Sequence, residues 1–259
     1  MKIVSKILVA IILVTFIGCS ENSSNTNDPE TKNNAEEIAK YFPIEVGKSF
    51  TYNVDTLDLS STNYIQLGQR TLHIDKFESD YFVCSEIYNY LQGLNLQTKI
   101  KISDNSIEIL TDTTGTSELI PDSLGFTVKL ELDESFKVIE FPLEQNSEWE
   151  VYKANAVMGT AKFKVFTLTA KYLGEENIEL NKISEQIPAI KIEYTVTINI
   201  PDMNNLLASK IQTYKAKVWL AENLGIVKIE GCALFVNSIT GNNFDMADSN
   251  KTIKHTLVL

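Results

Sequence analysis

Few residues of this sequence have the types and spacing that catalysis needs. The two histidines, His73 and His255, lie far apart in strand-like segments. A zinc site or a nucleophile with a histidine base would need further partners at defined spacings. The sequence contains no H-E-x-x-H, G-x-S-x-G or C-x-x-C motif and no phosphate-binding loop. We therefore expect no enzymatic activity, no metal and no cofactor, and we expect each histidine to be a strand residue with a satisfied ring.

The residue with the clearest chemistry is Cys19, which follows an apolar leader. Residues 1–18 contain two positive charges, Lys2 and Lys6, then eleven residues that are apolar except for one threonine, and then the small residue Gly18. This order is typical of an export signal that is cleaved after the small residue. The apolar run is too short to span a bilayer, which needs about 20 apolar residues.

The tripeptide Ile17-Gly18-Cys19 resembles the lipobox of bacterial lipoproteins, although Phe16 stands where an aliphatic residue is usual. The resemblance implies that the thiol of Cys19 receives a diacylglycerol and becomes the mature N-terminus, with acyl chains such as palmitate. Two or three acyl chains anchor a protein stably. The expected location is therefore the cell envelope, on the periplasmic or the surface face of the outer membrane. The alternative is a leader cleaved elsewhere, with Cys19 incidental.

The segment that follows the cysteine is expected to be a tether. Residues 19–40 are rich in Asn, Ser, Thr and acidic residues, and such a composition cannot bury enough apolar surface to fold. We interpret this segment as a flexible spacer and residues 41–259 as a β-rich domain.

The charge of the chain restricts its partners. The net charge is −11, and removal of residues 1–18, which carry two lysines and no acid, changes it to −13. A strongly acidic surface disfavours nucleic acid and anionic lipid head groups as partners. The expected contacts are the membrane, through the N-terminal lipid anchor, and either an apolar ligand or other envelope proteins.

Alternation of apolar and polar residues predicts long strands. Between Ile190 and Ile200 every even position is apolar and every odd position is polar, so one face of this strand is dry and the other is wet. The same pattern recurs in residues 99–102, 161–172, 213–220 and 252–259. Long strands with one wet face favour a strongly curved antiparallel sheet, like a half-barrel, over a small sandwich.

Helices are predicted at two places only. Residues 34–41 could form a short N-terminal helix with Asn34 as its cap. Residues 202–209 could form a helical turn in a connection.

An internal echo indicates two related halves. The sequence FPIEVGKSFTY at 42–52 recurs as FPLEQNSEWEVY at 141–152, at an offset of 99 residues that aligns Phe50 with Trp149. Proline fixes its φ and lacks a backbone donor, so it suits the approach to a strand. The halves would be 41–140 and 141–259, and the alternative is chance combined with similar local needs.

The first copy, with VWLAENLGIVKIEG at 218–231, resembles a group of exported lipoproteins that carry an FPL-x-VG-x-x-W-x-Y entry motif and a W-x-A-x-x-x-G-x-VK exit motif. Phe50 departs from the tryptophan of the entry motif, and Gly225 supplies the tight turn of the exit motif. Such domains resemble the half-barrel carriers LolA and LppX. The resemblance implies a curved sheet over an apolar cavity and identifies no catalytic residue.

Several apolar residues are candidates for the core or for the wall of a ligand cavity. These are Ile192, Tyr194, Val196, Ile198, Tyr214, Val218 and Trp219. Two further cysteines, Cys84 and Cys232, lie in apolar strand-like runs. They could form a disulfide in an oxidising compartment or be two small buried hydrophobic residues.

Three functions remain open at this stage. The first is a non-enzymatic lipoprotein that binds a lipid or another apolar ligand. The second is a structural, adhesion or assembly protein that binds other proteins through an exposed apolar patch. The third, an enzyme, is disfavoured because no set of catalytic residues is visible.

Overall fold

The computed structural model describes residues 34–58, 63–91, 95–110, 129–158, 160–180, 186–202, 205–239 and 251–259. The export signal, Cys19 and the first part of the predicted tether therefore lie outside the described residues. The predicted N-terminal helix is confirmed as α1, Asn34–Tyr41, and its first seven residues overlap the predicted tether.

Strands dominate the described residues, as the alternation predicted. In chain order they are β1 Ser49–Asp58, β2 Ile65–Glu78, β3 Tyr81–Tyr88, β4 Asn95–Ile102, β5 Ser106–Leu110, β6 Lys129–Leu132, β7 Ser135–Glu140, β8 Glu148–Met158, β9 Ala161–Glu179, β10 Gln186–Asp202, β11 Asn205–Ala221, β12 Gly225–Cys232 and β13 Lys251–Leu257. A second helix, α2, spans Ala233–Ile239 between β12 and β13.

Within the described residues, the thirteen strands form one antiparallel sheet that is curved but not closed. Its order is β6-β8-β9-β10-β11-β12-β13-β1-β2-β3-β4-β5-β7. The predicted fold class, a mainly β protein with a strongly curved antiparallel sheet, is confirmed.

The strand order repeats along the chain. Strands β1 to β5 form a meander that β7 extends, and β8 to β12 form a second meander that β13 extends. The first strands of the two meanders begin at Ser49 and Glu148, which are 99 residues apart, as in the sequence echo. The division into halves at residue 140 stays a prediction, although this topology agrees with it.

The two meanders could be joined at two places. The sheet is open because the strand at one of these places is divided into β6 and β7. Strand β13 pairs with both β12 and β1, and so joins the second meander to the first. At the corresponding place between the meanders, and among the described strands, β6 pairs only with β8 and β7 pairs only with β5. Residues 133 and 134 connect β6 to β7, so the two edges of the sheet are adjacent in the chain. We call the gap between β7 and β8 the seam.

Side chains, not a strand ladder, bridge the seam. The indole Nε1 of Trp149 donates a hydrogen bond to the carbonyl of Lys137 at 3.1 Å. The hydroxyl of Tyr194 crosses the interior from β10 and donates to the carbonyl of Val138 at 2.6 Å. Two backbone carbonyls of β7 thereby accept hydrogen bonds from side chains of β8 and β10.

Helix α2 covers part of the concave face of the sheet. Its residues Leu234, Phe235 and Val236 are buried, and the ring of Phe235 lies 6.0 Å from that of Tyr194. A sheet with one dry face must cover that face. Here the cover is supplied by α2 and by the buried side chain of Ile38 from α1, which belong to the same core cluster.

One local expectation from the sequence is wrong, and one alternative is not found. Asp202 and residues 205–209, where a helical turn was predicted, belong to β10 and β11 instead. Of the two alternatives for Cys84 and Cys232, the disulfide is not formed, because neither is bonded to another cysteine. They lie on β3 and β12, four strand spacings apart, which is about 19 Å along the sheet, whereas bonded cysteines have Cα atoms less than about 7 Å apart.

Candidate functional site

The entry and exit motifs meet at one end of the sheet, where β1 and β12 begin. Gly225 opens β12 with a φ of +76°, a conformation that favours glycine. A Cβ atom at this glycine would lie 3.4 Å from Cδ of Pro43. The backbone N–H of Asn223 donates to the carbonyl of Lys40 at 2.7 Å, and Lys40 forms an ion pair with Glu222. The start of the domain is therefore fixed to the turn between β11 and β12.

Hydrogen bonds hold the entry motif in an extended approach to β1. The backbone N–H of Gly47, whose φ is +88°, donates to the carbonyl of Ile74 at 2.8 Å. The ammonium of Lys48 donates to the carbonyl of Pro43 at 3.1 Å and lies 5.3 Å from the centre of the Phe50 ring. Lys48 thus covers one side of the segment from Pro43 to Phe50. The apolar side chains of that segment face the sheet.

An apolar cleft lies between the two motifs, and we call it the entry cleft. A water-sized molecule can occupy about 30 Å³ of it, and the surrounding space of about 320 Å³ includes open solvent. None of the described residues that line it is charged. The lining residues are Phe42, Pro43, Ile44, Phe50, Tyr52, Leu72, Ile74, Gly225 and Ile226. Such a lining can bind an apolar group through the hydrophobic effect and offers little to a polar one.

The second copy of the motif has a tryptophan at the position that Phe50 occupies in this cleft. Trp149, at the position equivalent to Phe50, is buried and bonds to the carbonyl of Lys137. Phe50 is smaller and only partly buried, and it lines the entry cleft. The departure from tryptophan at Phe50 thus coincides with the space in the first copy.

A buried charge network lies next to the entry cleft. Arg70 is only 6% exposed, and its Nε donates to the carboxylate of Glu86 at 2.8 Å. The same carboxylate accepts hydrogen bonds from Thr98 at 3.1 Å and from Tyr88 at 3.4 Å. The guanidinium also lies 5.4 Å from the ring of Tyr52, which lines the cleft. Each of the two buried charges thus faces the opposite charge and takes part in a hydrogen bond, as buried charges require.

His255 is a buried neutral group beside this network. Its side chain is 0% exposed, and neither ring nitrogen has a hydrogen-bond partner among the described residues. Burial, with a smaller contribution from the charge of Arg70, lowers the pKa of His255 to about 3. The expected satisfied ring is therefore not found. A histidine that stays neutral at physiological pH and is fully enclosed is poorly placed to exchange protons with a substrate.

Trp219 lies on the opposite face of the sheet from Val218. Its ring is flanked by the ammonium groups of Lys228 at 4.4 Å and Lys191 at 5.3 Å, and its Nε1 donates to Glu176 at 2.7 Å. The hydrogen bond from Lys191, together with that from the indole, lowers the pKa of Glu176. This arrangement makes Trp219 part of a packed cluster on the outer face, with cations over its ring.

The other sequence candidates are placed in the core. Buried side chains are those of Ile192, Tyr194, Val196 and Val218, while Ile198 and Tyr214 are partly buried and pack against the same cluster. None of them is among the residues that line the entry cleft. A role for them in ligand binding stays a prediction.

Sequence reasoning missed the charge network and two of the nine residues that line the cleft, Leu72 and Ile74. A signal for the network existed, because Arg70 alternates with Leu72 and Ile74 along one row of β2, and Glu86 follows Cys84 in the same way on β3. Charged residues in apolar rows of neighbouring strands are rarely fully buried unless they are paired. The contacts of Leu72 and Ile74 with the entry motif depend on tertiary packing and had no such signal.

Two further searches of the described residues gave negative results. No group of three or more His, Cys, Asp or Glu side chains in these segments could hold a metal ion. None of the helices that the structure describes is both long enough and apolar enough to cross a membrane.

Comparison with known proteins gives distant structural likenesses. No protein-family model matches the chain, and no curated protein matches it in sequence. A candidate exported protein with a YmcC-like fold from Bacteroides fragilis has 12% identity and a TM-score of 0.43, over 84% of this chain and 97% of that one. A candidate lipoprotein from Parabacteroides distasonis has 12% identity and a TM-score of 0.39, over 84% and 96%.

A third likeness is to the hypothetical lipoprotein YmcC from Escherichia coli. It has 9% identity and a TM-score of 0.32, over 89% of this chain and 90% of that one. These neighbours are thus described as exported proteins or lipoproteins. TM-scores below 0.5 do not establish a shared fold, so the descriptions apply to the neighbours alone.

Proposed function

We propose that this chain is a non-enzymatic lipoprotein of the cell envelope that binds an apolar group in the entry cleft. The acyl chains on Cys19 would fasten it to the membrane, and residues 19–33 would connect the anchor to α1. The observation that carries the proposal is the entry cleft itself, an uncharged and partly open space at the meeting point of the two motifs.

The size of the cleft suits only a small apolar group or the tip of a chain. The space that a water-sized molecule can occupy in it is about 30 Å³, far below the roughly 300–1,000 Å³ of drug-sized ligand pockets. Burying a methylene stabilises a complex by about 0.8 kcal/mol, so one or two enclosed methylenes would give about 1–2 kcal/mol. The cleft would thus bind a chain end weakly and reversibly, with the rest of the chain on its open side.

The lack of a charged side chain in the described lining of the cleft supports a binding role over a catalytic one. Among the described lining residues the single ionisable side chain is that of Tyr52, and burial raises its pKa to about 12. A group with that pKa is protonated at neutral pH and is a poor general base.

Native mass spectrometry of the mature chain with Cys19→Ser tests the proposal. We expect excess mass after incubation with decanoate, released when the protein is denatured. Phe50→Trp should abolish it by filling the cleft. Trp149→Phe, at the equivalent position of the second copy, should leave it unchanged. Equal binding by the parent chain and Phe50→Trp, or no binding at all, would contradict the proposal.

A second function, binding of envelope proteins, is supported by exposed apolar side chains. Phe77 is 55% exposed near the tip of the β2–β3 hairpin, and its ring contacts that of Phe82 at 4.8 Å. Cross-linking in intact cells tests this function. Loss of a specific cross-linked product on Phe77→Ser would support it, and an unchanged pattern would argue against this surface.

A further inference from the structure

A second recess lies where β11 and β12 separate, and we call it the lysine groove. The last pair between the two strands is Ala216 with Gly231, and beyond it β12 ends and continues into α2. A Cβ atom at Gly231 would lie 2.3 Å from Cα of Ala216, so glycine allows the strands to approach closely before they part. The lining residues are Lys215, Ala216, Lys217, Trp219, Glu230 and Gly231.

The lysine groove is large enough for a small ligand. A water-sized molecule can occupy about 320 Å³ of it, against about 30 Å³ of the entry cleft. Ligand pockets span roughly 300–1,000 Å³, so the groove lies at the lower end of that range. The surrounding space of about 600 Å³ includes open solvent. These dimensions suit a ligand of about one sugar ring that keeps one side in water.

The groove contains an ammonium group without a partner. Lys217 is half-buried, and its cross-strand neighbours are Glu193 on β10 and Glu230 on β12. Both carboxylates are already paired, with the ammonium groups of Lys215 at 2.6 Å and Lys228 at 2.5 Å. Among the residues that the structure describes, Lys217 therefore forms neither an ion pair nor a hydrogen bond. An anionic ligand in the groove would accept a charge-assisted hydrogen bond from it.

The neighbouring charges select the kind of anion. We infer that the lysine groove binds a small sugar acid, whose carboxylate accepts hydrogen bonds from Lys217. One unpaired ammonium matches one negative charge, whereas the carboxylates of Glu193 and Glu230 would repel a phosphate dianion more strongly.

The carboxylate of Glu230 favours a ligand that also carries hydroxyl groups. It accepts hydrogen bonds from the hydroxyl of Tyr64 at 2.7 Å and from Lys228. A carboxylate has about four lone-pair sites, so acceptor capacity remains. A ligand hydroxyl in the groove would donate to it while the ligand carboxylate binds Lys217. A sugar acid has both groups, whereas a simple carboxylate has only one.

Fluorine NMR of the mature chain with Cys19→Ser tests the inference. The chain has two tryptophans, so labelling with 5-fluorotryptophan gives two signals, which Trp149→Phe assigns. Trp219 lines the groove, whereas Trp149 bonds across the seam and serves as the internal reference. At constant ionic strength, we expect D-glucuronate to shift the Trp219 signal saturably, with a dissociation constant in the millimolar range. D-glucose should leave both signals unchanged.

Two lysine variants separate the groove from general effects of charge. Lys217→Met removes the ammonium and keeps most of the side-chain length, and it should weaken binding about tenfold or more. Lys171→Met is the matched control. Lys171 stands in the same cross-strand row, two strands from Lys217, and pairs with Glu148 at 2.8 Å outside the groove. This variant should bind D-glucuronate as the parent chain does, and equal Tm values would show that all three chains are folded.

Four results would overturn the inference. The first two are the lack of a saturable shift of the Trp219 signal and an equal shift in Lys217→Met. Tighter binding of D-glucose 6-phosphate than of D-glucuronate would refute the match to a single negative charge. Equal binding of acetate would refute the role of the hydroxyl groups. None of these results bears on the proposed function, because the lysine groove and the entry cleft share no lining residue.

Discussion

Replacement of Glu86 by leucine tests the physical account of the charge network beside the cleft. The substitution removes the charge that faces Arg70, together with the acceptor of the Thr98 hydroxyl. The guanidinium would then be buried without an opposite charge, because Arg70 is only 6% exposed and cannot lose its proton at ordinary pH.

The expected loss of stability is large. Removing one partner of a buried ion pair typically costs about 3–5 kcal/mol. For a domain of this size each kcal/mol changes Tm by about 2–4 °C, so we expect a decrease of roughly 6–20 °C. The double variant Arg70→Met/Glu86→Leu removes both charges and should recover most of this loss, since an apolar pair of similar volume can replace a buried ion pair.

Thermal and urea unfolding of the four chains of this double-mutant cycle provide the assay. As a control, Glu131→Gln breaks the exposed pair with Lys162, whose nitrogen and oxygen are 2.6 Å apart, and should leave Tm unchanged. The reasoning is refuted if the double variant is no more stable than Glu86→Leu alone.

Three further changes have defined outcomes. The free energy of unfolding of the parent chain should fall by about 2 kcal/mol between pH 7.5 and 5.0, and His255→Leu should abolish this decrease. Urea unfolding of both chains measures it. Burial lowers the pKa of His255 to about 3, whereas the ordinary value is 6.5, so only the unfolded chain binds this proton as the pH falls. An equal pH dependence in both chains would contradict this. Tyr194→Phe should lower the free energy of unfolding by about 1–3 kcal/mol in thermal unfolding, because the carbonyl of Val138 loses its 2.6 Å hydrogen bond. An unchanged free energy of unfolding would show that this hydrogen bond does not stabilise the fold. Gly225→Ala should lower the free energy of unfolding by about 1–2 kcal/mol in the same assay. The cause would be backbone strain at a φ of +76°, since the added Cβ makes only ordinary contacts. An unchanged free energy of unfolding would contradict this strain.

The alternation of side chains made the strands and their class predictable. Within β10 the buried side chains of Ile190, Ile192, Tyr194 and Val196 follow the predicted period of two, because one face of the strand lies on the core. The helix α1 was predictable from Asn34 and the acidic first turn. Both signals are local, so the sequence alone contains them.

The features that were missed depend on contacts between distant segments. The sequence of α2, ALFVNSI, is short, apolar and rich in β-formers, and its helical form follows from packing against Tyr194 on the concave face. The division of one joining strand into β6 and β7 is a matter of pairing and has no compositional mark.

The residues of the two motifs were predictable parts of the candidate site, whereas its contacts with other strands were not. The motif residues Pro43, Phe50 and Gly225 were singled out as structural, and they do meet. The cleft between them arises from packing of the motifs against Leu72 and Ile74. The cleft lies outside the row of apolar side chains that contains Ile192. The alternation of apolar and polar residues along the strands does not predict this position.

The central claim is that the entry cleft binds an apolar chain, and photo-cross-linking tests it most directly. The mature chain with Cys19→Ser would be irradiated with a decanoate analogue that carries a terminal diazirine, and the labelled residues would be mapped by mass spectrometry. The account predicts labels on Phe42, Phe50, Leu72 and Ile226, and their loss in Phe50→Trp. Labels concentrated on the core row from Ile192 to Ile198, or none above background, would contradict it.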